Sequence, residues 1–223
     1  MTTRSVKFRL FIAWNGSSYQ DESTRLEAAN GAMRLAPPDQ AGTSSRGQVD
    51  ACTLTLANAD RRFSPLNSSG PLYTYLQYGG AYHAPMYLEV SIDGGSTYSR
   101  VFTGVIKLPQ ESTATPSQGG TVTIECRSRD ELLLQRRFST QLATMVFRRG
   151  YMEGEHIAGV LSDISASLYY YDRGTYPLDW AWLDDESVLD ELWAIASACG
   201  GRVYCDPDGY LRFEDATHWL KSP

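Results

Sequence analysis

The chain has 223 residues, enough for one large or two small domains whose hydrophobic core needs no disulfides or metals for stability. Its formal net charge of −6 argues against a general nucleic-acid-binding protein, because such proteins gain affinity from lysine and arginine on phosphates. No apolar run reaches the roughly 18 residues of a transmembrane helix, and the first residues lack the apolar core of a signal peptide, so we expect folding in a cytoplasm.

The first half of the chain alternates apolar and polar residues in the manner of β-strands. A short strand or helix is predicted near residues 25–35, and the turn Asp93-Gly94-Gly95-Ser96 predicts a hairpin. Short strands without intervening helices predict a small antiparallel barrel or sandwich, and closing the sheet would protect its edges. The predicted strands cover residues 6–14, 50–57, 86–92, 97–106 and 121–126.

A long polar connection follows the strand that ends at Ala57. Its apolar residues stand singly among Ser, Pro, Asn and Gly, which predicts a loop pinned by a few anchors instead of a helix or strand. We interpret residues 56–80 as a docking loop, because interface affinity is concentrated in a few buried anchors. The expected anchors are Phe63, Leu66, Leu72 and Tyr73, with Arg61 and Arg62 pairing with an acidic neighbour.

The second half of the chain changes to a mixed pattern. A helical turn is predicted at residues 130–134, and a helix from Gly154 carries an apolar face of Ile157, Val160, Leu161, Ile164 and Leu168. A second helix, capped by Asp184 or Asp185, ends at Gly200-Gly201. A hairpin then forms around Asp206-Pro207-Asp208-Gly209. We therefore expect a β-barrel domain at residues 1–135 and an α+β domain at residues 136–223.

Residues with catalytic or metal-binding chemistry are scattered. His83, His156 and His218 lie in unrelated contexts, and no Gly-x-Ser-x-Gly nucleophile elbow is present. The acids Glu153 and Glu155 flank a glycine before a helix, where a structural role is favoured over a glycosidase pair. We expect no catalytic residue, no metal and no cofactor.

The four cysteines lack a Cys-x-x-Cys pair, and disulfides are rare in a cytoplasm. We therefore expect buried free thiols at Cys52, Cys126, Cys199 and Cys205.

Aromatic residues cluster at Tyr169-Tyr170-Tyr171 and at Trp180-x-Trp182. Three consecutive tyrosines cannot all be buried on one face of a helix or strand, and tyrosine is enriched at interfaces. Core packing, partner contact and a sugar-binding platform all remain open for this cluster. Tyr170 and Trp182 are the candidates for a subunit interface.

Several of these motifs resemble tail proteins of long-tailed bacteriophages and prophages. The resemblance starts with LANADRRFSP at residues 56–65 and SSGPLY at residues 68–73. The segment RVFTGVI at residues 100–106 is similar to the F-x-G-x-I strand of those proteins, and IECRSRD at residues 124–130 is similar to the strand that leaves their first barrel. The helix and hairpin at residues 192–213 resemble part of the α+β domain inserted in tail hubs.

The resemblance implies a tail hub or baseplate component at the virion tail tip, assembled in the host bacterial cytoplasm. Such hubs are usually trimers whose barrels continue the ring of the tail tube, with DNA passing through the channel without specific binding. The implied partners are tail-tube and distal tail proteins and a tip fibre or central spike. Hubs generally carry a second barrel after the α+β part, whereas this sequence ends at Pro223, so we expect either another polypeptide or a different arrangement.

Three other functions remain open from the sequence. A distal tail ring protein is the alternative within the same class. A carbohydrate-binding module for the host cell wall would use exposed tryptophan and tyrosine. A peptidoglycan hydrolase has the least support, because neither a nucleophile nor an acid pair stands out.

Overall fold

The computed structural model describes residues 5–32, 49–77, 83–112, 120–138, 150–178 and 186–220. The chain divides into two compact units. The described residues 5–32 and 50–128 belong to unit 1, and residues 49 and 129–220 belong to unit 2. The division falls after Ser128, whereas we predicted a domain boundary after residue 135; the tube-like identity of the first domain stays a prediction.

Unit 1 is built on one eight-stranded sheet, in which every pairing is antiparallel. The main path of the sheet is β2-β1-β5-β6-β8-β4-β3, and β7 pairs with β8. No closure of this path into a barrel is found among the described residues, so the barrel stays a prediction. The elements are β1 (Lys7–Ile12), β2 (Gln20–Asp21), β3 (Leu26–Ala32), β4 (Ala51–Ala57), α1 (Pro71–Gln77), β5 (Pro85–Ser91), β6 (Ser99–Ile106), β7 (Gln110–Ser112) and β8 (Thr121–Ser128).

The alternation in the sequence matches the burial of the strands. In β4 and β8 every second side chain is buried, and the cross-strand partners Leu54 and Ile124 are both fully buried. This arrangement is expected when one face of a pleated sheet covers the core. The predicted strands and the hairpin are confirmed, and the segment near residues 25–35 contains β3.

Gly104 in β6 allows two neighbouring strands to approach closely. A Cβ atom at this position would overlap the carbonyl oxygen of Arg127 on β8 and would lie 2.8 Å from Cε1 of Phe102. Gly31 in β3 differs, because a Cβ atom there would make an ordinary contact of 3.5 Å with Sγ of Cys52. The glycine of the F-x-G-x-I motif therefore has a steric role that the glycine in β3 lacks.

We expect Gly104→Ala to lower the free energy of unfolding by about 1–3 kcal/mol or more, because the added methyl group must push backbone aside. Gly31→Ala is the matched control and should raise stability by up to about 1 kcal/mol, since glycine in a strand loses more conformational entropy than alanine. Urea denaturation of both variants measures the difference. Equal stabilities of the two variants would contradict this account of Gly104.

Unit 2 combines two longer helices with short strands. Its three-stranded sheet has the order β10-β13-β12, in which β10 runs parallel and β12 antiparallel to β13. Strands β9 and β11 form a separate antiparallel pair. The elements are α2 (Glu131–Leu134), β9 (Arg137–Phe138), α3 (Glu153–Asp163), β10 (Tyr169–Tyr171), β11 (Glu186–Ser187), α4 (Val188–Ala198), β12 (Arg202–Cys205) and β13 (Leu211–Glu214).

The helical predictions for unit 2 are confirmed in outline and corrected in detail. The cap of α4 is Ser187, whose Oγ accepts a hydrogen bond from the Asp190 amide at 3.4 Å, so the predicted caps Asp184 and Asp185, outside the described residues, are wrong. Helix α3 ends at Asp163, and Leu168 is exposed beyond it. None of the helices within the described ranges has the length and apolar character needed to cross a bilayer.

All four cysteines are free and buried, which confirms the prediction. Burial raises the pKa of Cys52 to about 11 and that of Cys205 to about 12. Thiols that are both inaccessible and protonated react slowly with electrophiles. We therefore expect iodoacetamide to leave the native protein unlabelled at pH 8 and to label four sites after denaturation, as counted by intact mass. Rapid labelling of the native protein would contradict this expectation.

Candidate interaction surfaces

The loop between β4 and α1 is ordered by its own backbone. Four hydrogen bonds connect residues spaced by three: Arg61 N–H to Asn58 O at 2.9 Å, Ser64 to Arg61 at 3.1 Å, Asn67 to Ser64 at 3.1 Å and Gly70 to Asn67 at 2.8 Å. Each turn therefore begins at the residue where the previous turn ends. We call residues 58–70 the linked-turn loop.

Contacts at both ends hold the linked-turn loop in place. Asn58 is buried; its Oδ1 accepts a hydrogen bond from the Phe63 amide at 2.9 Å, and its Nδ2 donates to Glu111 Oε1 at 3.2 Å. At the other end, a Cβ atom on Gly70 would overlap the carbonyl oxygen of Arg62. The loop is thus a compact structure belonging to unit 1.

Two of the predicted interface anchors lie in the core. Phe63 is 0% exposed, with its ring centroid 5.5 Å from that of Trp14, and Leu72 is 1% exposed. Both belong to the main hydrophobic cluster of unit 1. The prediction that Phe63 and Leu72 contact a neighbouring subunit is wrong, because their own unit already buries both side chains.

The segment after the linked-turn loop also differs from the prediction. We expected residues 56–80 to form no helix, but residues 71–77 form α1. The helix begins at Pro71, and proline is favoured at a first helical position because its missing N–H would have no partner there. Tyr73 lies on this helix and is partly buried.

The predicted acidic partner of the arginines lies within the same unit. Glu22 is buried and accepts hydrogen bonds from Arg62 Nη2 at 2.7 Å and from Trp14 Nε1 at 3.1 Å. Arg61 is largely exposed and its Nε is 3.9 Å from Glu111 Oε1. The prediction of an intermolecular partner is therefore corrected for Arg62, whose guanidinium compensates a buried carboxylate of its own unit.

The remaining predicted residues have different surroundings. Leu66 is 87% exposed at the middle of the linked-turn loop, and Tyr170 on β10 is 52% exposed. Trp182 lies outside the described residues. The structure thus brings Arg61, Arg62, Phe63 and Leu66 onto one loop of unit 1, while Tyr170 belongs to unit 2.

Glu153 and Glu155 bind the backbone. Glu153 is completely buried and accepts the amide N–H groups of Thr175 and Tyr176, each at 2.8 Å. Glu155 accepts the amide of Met152 at 3.0 Å, which lowers the pKa of its carboxyl together with a hydrogen bond from Arg173. Both carboxylates therefore hold the entry to α3, as a structural role requires.

A cluster of charged side chains in unit 2 was missed from the sequence. The ring nitrogens of His218 lie 2.7 Å from Asp172 Oδ2 and 3.3 Å from Glu214 Oε1. Glu214 also accepts hydrogen bonds from Tyr204 Oη and Arg202 Nε, both at 2.6 Å. The four-residue spacing of Glu214 and His218 was a visible signal, but the contact with Asp172 joins residues far apart in the chain.

The pKa of Tyr204 is raised to about 12, first by burial and then by its hydrogen bond to Glu214. The hydroxyl therefore stays protonated and donates to the carboxylate at neutral pH.

Among the described residues, no group of three or more His, Cys, Asp and Glu side chains has an arrangement suited to a metal ion.

No protein-family model matches the chain, and no curated protein matches it. The solved structures that are similar over nearly its whole length include two tail proteins. The tail protein from Neisseria meningitidis MC58 is 14% identical with a TM-score of 0.53, and the match covers 93% of this chain and 50% of that protein. The 43 kDa tail protein of prophage MuSo2 from Shewanella oneidensis is 15% identical with a TM-score of 0.54, and the match covers 95% of this chain and 56% of that protein.

The chain has the fold of phage tail proteins. The resemblance noted in the motifs is thereby confirmed at the level of the fold, although the sequence identities are low. The chain spans about half the length of the two solved tail proteins that it matches.

Proposed function

We propose that this chain is a structural component of the tail tip of a phage or phage-like particle, a hub or baseplate protein that joins the tail tube to the tip around the DNA channel. The observation that carries the proposal is the tail-protein fold, which extends over 95% of the chain in the match to the prophage tail protein. We further propose that the protein is not an enzyme, and that it acts by assembling with its own copies and with tail-tube and distal tail proteins.

The ring expected of a hub fits the architecture of unit 1. We propose that its eight-stranded sheet closes into a barrel, and that three copies arrange these barrels around the channel. Closed rotational symmetry needs contacts between different surfaces of neighbouring copies. The net charge of −6 suits a conduit that DNA passes without binding, because an acidic wall repels phosphate.

The linked-turn loop supplies a suitable contact point. Leu66 is 87% exposed, yet its loop is fixed by the four backbone hydrogen bonds and by the buried Phe63. An apolar side chain on a pre-ordered loop loses little conformational entropy when it binds. We propose that Leu66 and the exposed Arg61 of the same loop contact a neighbouring subunit, and that Tyr73 supports the loop from α1.

The mass of the protein in solution, alone and with a tail-tube protein, tests this proposal. We expect a trimer or a mixed assembly for the natural sequence, and a shift towards monomer for Leu66→Asp with an unchanged far-ultraviolet circular dichroism spectrum, because loss of association alone lowers the melting temperature. Leu220→Asp is the matched control, because Leu220 is 84% exposed but belongs to unit 2. A natural protein that stays monomeric under both conditions would overturn the assembly function.

A further inference from the structure

The three-stranded sheet of unit 2 has one polar aromatic face. Its other face contributes Val203, Leu211 and Phe213 to the core. Across the polar face, Tyr170 on β10 and Tyr204 on β12 are both register partners of Arg212 on β13. Strands lie about 4.8 Å apart, so these three side chains form a row about 10 Å long. We call it the Tyr-Arg-Tyr row.

Contacts within the sheet fix the exposed end of this row. The ring of Tyr170 lies 4.9 Å from the ring of Tyr210, and the guanidinium carbon of Arg212 lies 4.9 Å from the Tyr170 centroid. Arg212 is itself held by Asp206, with Nε 2.6 Å from Oδ2. Tyr170 is nevertheless 52% exposed, so the ring is held in position and still accessible to a ligand.

The central ring of a similar aromatic cluster in unit 1 lacks this property. Tyr87 is stacked on Phe11 with centroids 4.7 Å apart, and Arg100 lies over the same ring at 4.0 Å. Tyr19 contacts its edge at 4.9 Å. These neighbours leave Tyr87 largely covered, with its pKa raised chiefly by burial. Tyr170 is therefore the better candidate for stacking on a ligand.

A row of polar groups with fixed positions lies beside the Tyr-Arg-Tyr row. Arg202 and Glu214 are register partners on β12 and β13, and His218 lies between Glu214 and Asp172. Both arginines of this face have a carboxylate within the face: Arg212 has Asp206 and Arg202 has Glu214. Such a face has little electrostatic preference for a strongly charged partner.

We propose that this face binds a neutral oligosaccharide. A sugar ring combines an apolar C–H surface with a border of hydroxyl groups, so it needs an aromatic ring to stack on and polar groups in fixed positions beside it. Tyr170 supplies the ring, and the guanidinium of Arg212, whose side chain is 39% exposed and is held by the buried Asp206, supplies hydrogen-bond donors beside it. A polar group that is already held in place loses little entropy on binding.

The same face suits a subunit interface less well than predicted from the sequence. A stable protein interface buries about 800 Å² on each partner. The sheet presents only three short strands, Tyr169–Tyr171, Arg202–Cys205 and Leu211–Glu214, and only alternate side chains of each strand point to this face. A short glycan matches this footprint better than a second protein.

Calorimetric titration of the full chain with neutral hexasaccharides tests the proposal. We would use cellohexaose, maltohexaose and the hexamer of N-acetylglucosamine as probes. We expect binding of at least one probe, a loss of about tenfold or more in affinity for Tyr170→Ala, and near-natural affinity for Tyr170→Phe, which keeps the ring. Tyr19→Ala is the matched control, because Tyr19 is 46% exposed but belongs to unit 1.

Three results would overturn the proposal: no binding of any of these probes by the natural protein, equal binding by Tyr170→Ala, or loss of self-association in Tyr170→Ala without sugar binding. The last result would assign the face to a protein partner. Melting temperatures of all variants establish that the fold is kept. The tail-tip function is tested separately by solution mass, so each proposal fails independently of the other.

Discussion

Replacing Phe63 by alanine is expected to lower the free energy of unfolding by about 3–5 kcal/mol, the range measured when a fully buried phenylalanine is truncated. Phe63 is 0% exposed and packs against Trp14, so its removal leaves a cavity under the linked-turn loop. Urea denaturation of the isolated protein measures the loss.

Leu66→Ala is the control for this prediction. The two residues lie on the same loop, but Leu66 is 87% exposed, and surface substitutions usually change stability by no more than about 0.5 kcal/mol. The pair therefore separates folding from association. Phe63 would be an interface anchor after all if Phe63→Ala had the same urea midpoint as the natural protein and instead lost self-association.

The second large effect is expected for Glu153→Ala. Its carboxylate is completely buried and accepts the amide N–H groups of Thr175 and Tyr176. A hydrogen bond to a charged group contributes about 1.5–3 kcal/mol, so the loss of both bonds should cost about 3–6 kcal/mol. Thermal and urea unfolding should both report the destabilisation.

Two further variants sharpen the test of Glu153. Glu153→Gln keeps one side-chain oxygen as acceptor and should show an intermediate loss, because its amide nitrogen would face the second N–H group. Glu155→Ala removes a neighbouring carboxylate that is far more accessible and should destabilise the protein less. Equal losses for Glu153→Ala and Glu155→Ala would show that burial of the Glu153 carboxylate has no special importance.

The strands of unit 1 were predictable because one physical rule governs them. A sheet with one buried face requires alternation, and Leu54 and Leu56 in β4 follow this rule along the whole strand. The turn at Asp93 was predictable for a local reason as well, since its carboxylate accepts the amides of Ser96 and Thr97. Such signals are contained within a few consecutive residues.

The role of the single apolar residues in the linked-turn loop was not predictable in this way. Phe63 and Leu66 have similar neighbours in the sequence, yet one is buried and the other is exposed. The difference depends on the direction in which each turn points, which is set by contacts with Trp14 and Glu22 elsewhere in unit 1. The composition of a loop shows that it contains apolar anchors. It does not show whether each anchor points into the core of its own unit or towards solvent.

Long-range polar contacts were equally hidden. Asp172 and His218 are 46 positions apart, and they meet because β10 lies parallel to β13. A parallel pairing requires a crossover connection, so no short motif announces it. The Tyr-Arg-Tyr row has the same origin, since Tyr170 reaches Arg212 only through this pairing.

The spacing of the linked turns restricts how this part of the molecule can change in length. The hydrogen-bonded turns follow one another in steps of three residues, at Asn58, Arg61, Ser64, Asn67 and Gly70. The first position is fixed by the hydrogen bond of Asn58 to Glu111, and the last by the close approach of Gly70 to Arg62. Inserting or deleting one residue would leave a backbone amide of the loop facing the wrong oxygen. The residue type at an exposed position of this loop, such as Leu66, can therefore vary. We expect the length of the loop to change without disruption only by three residues at a time.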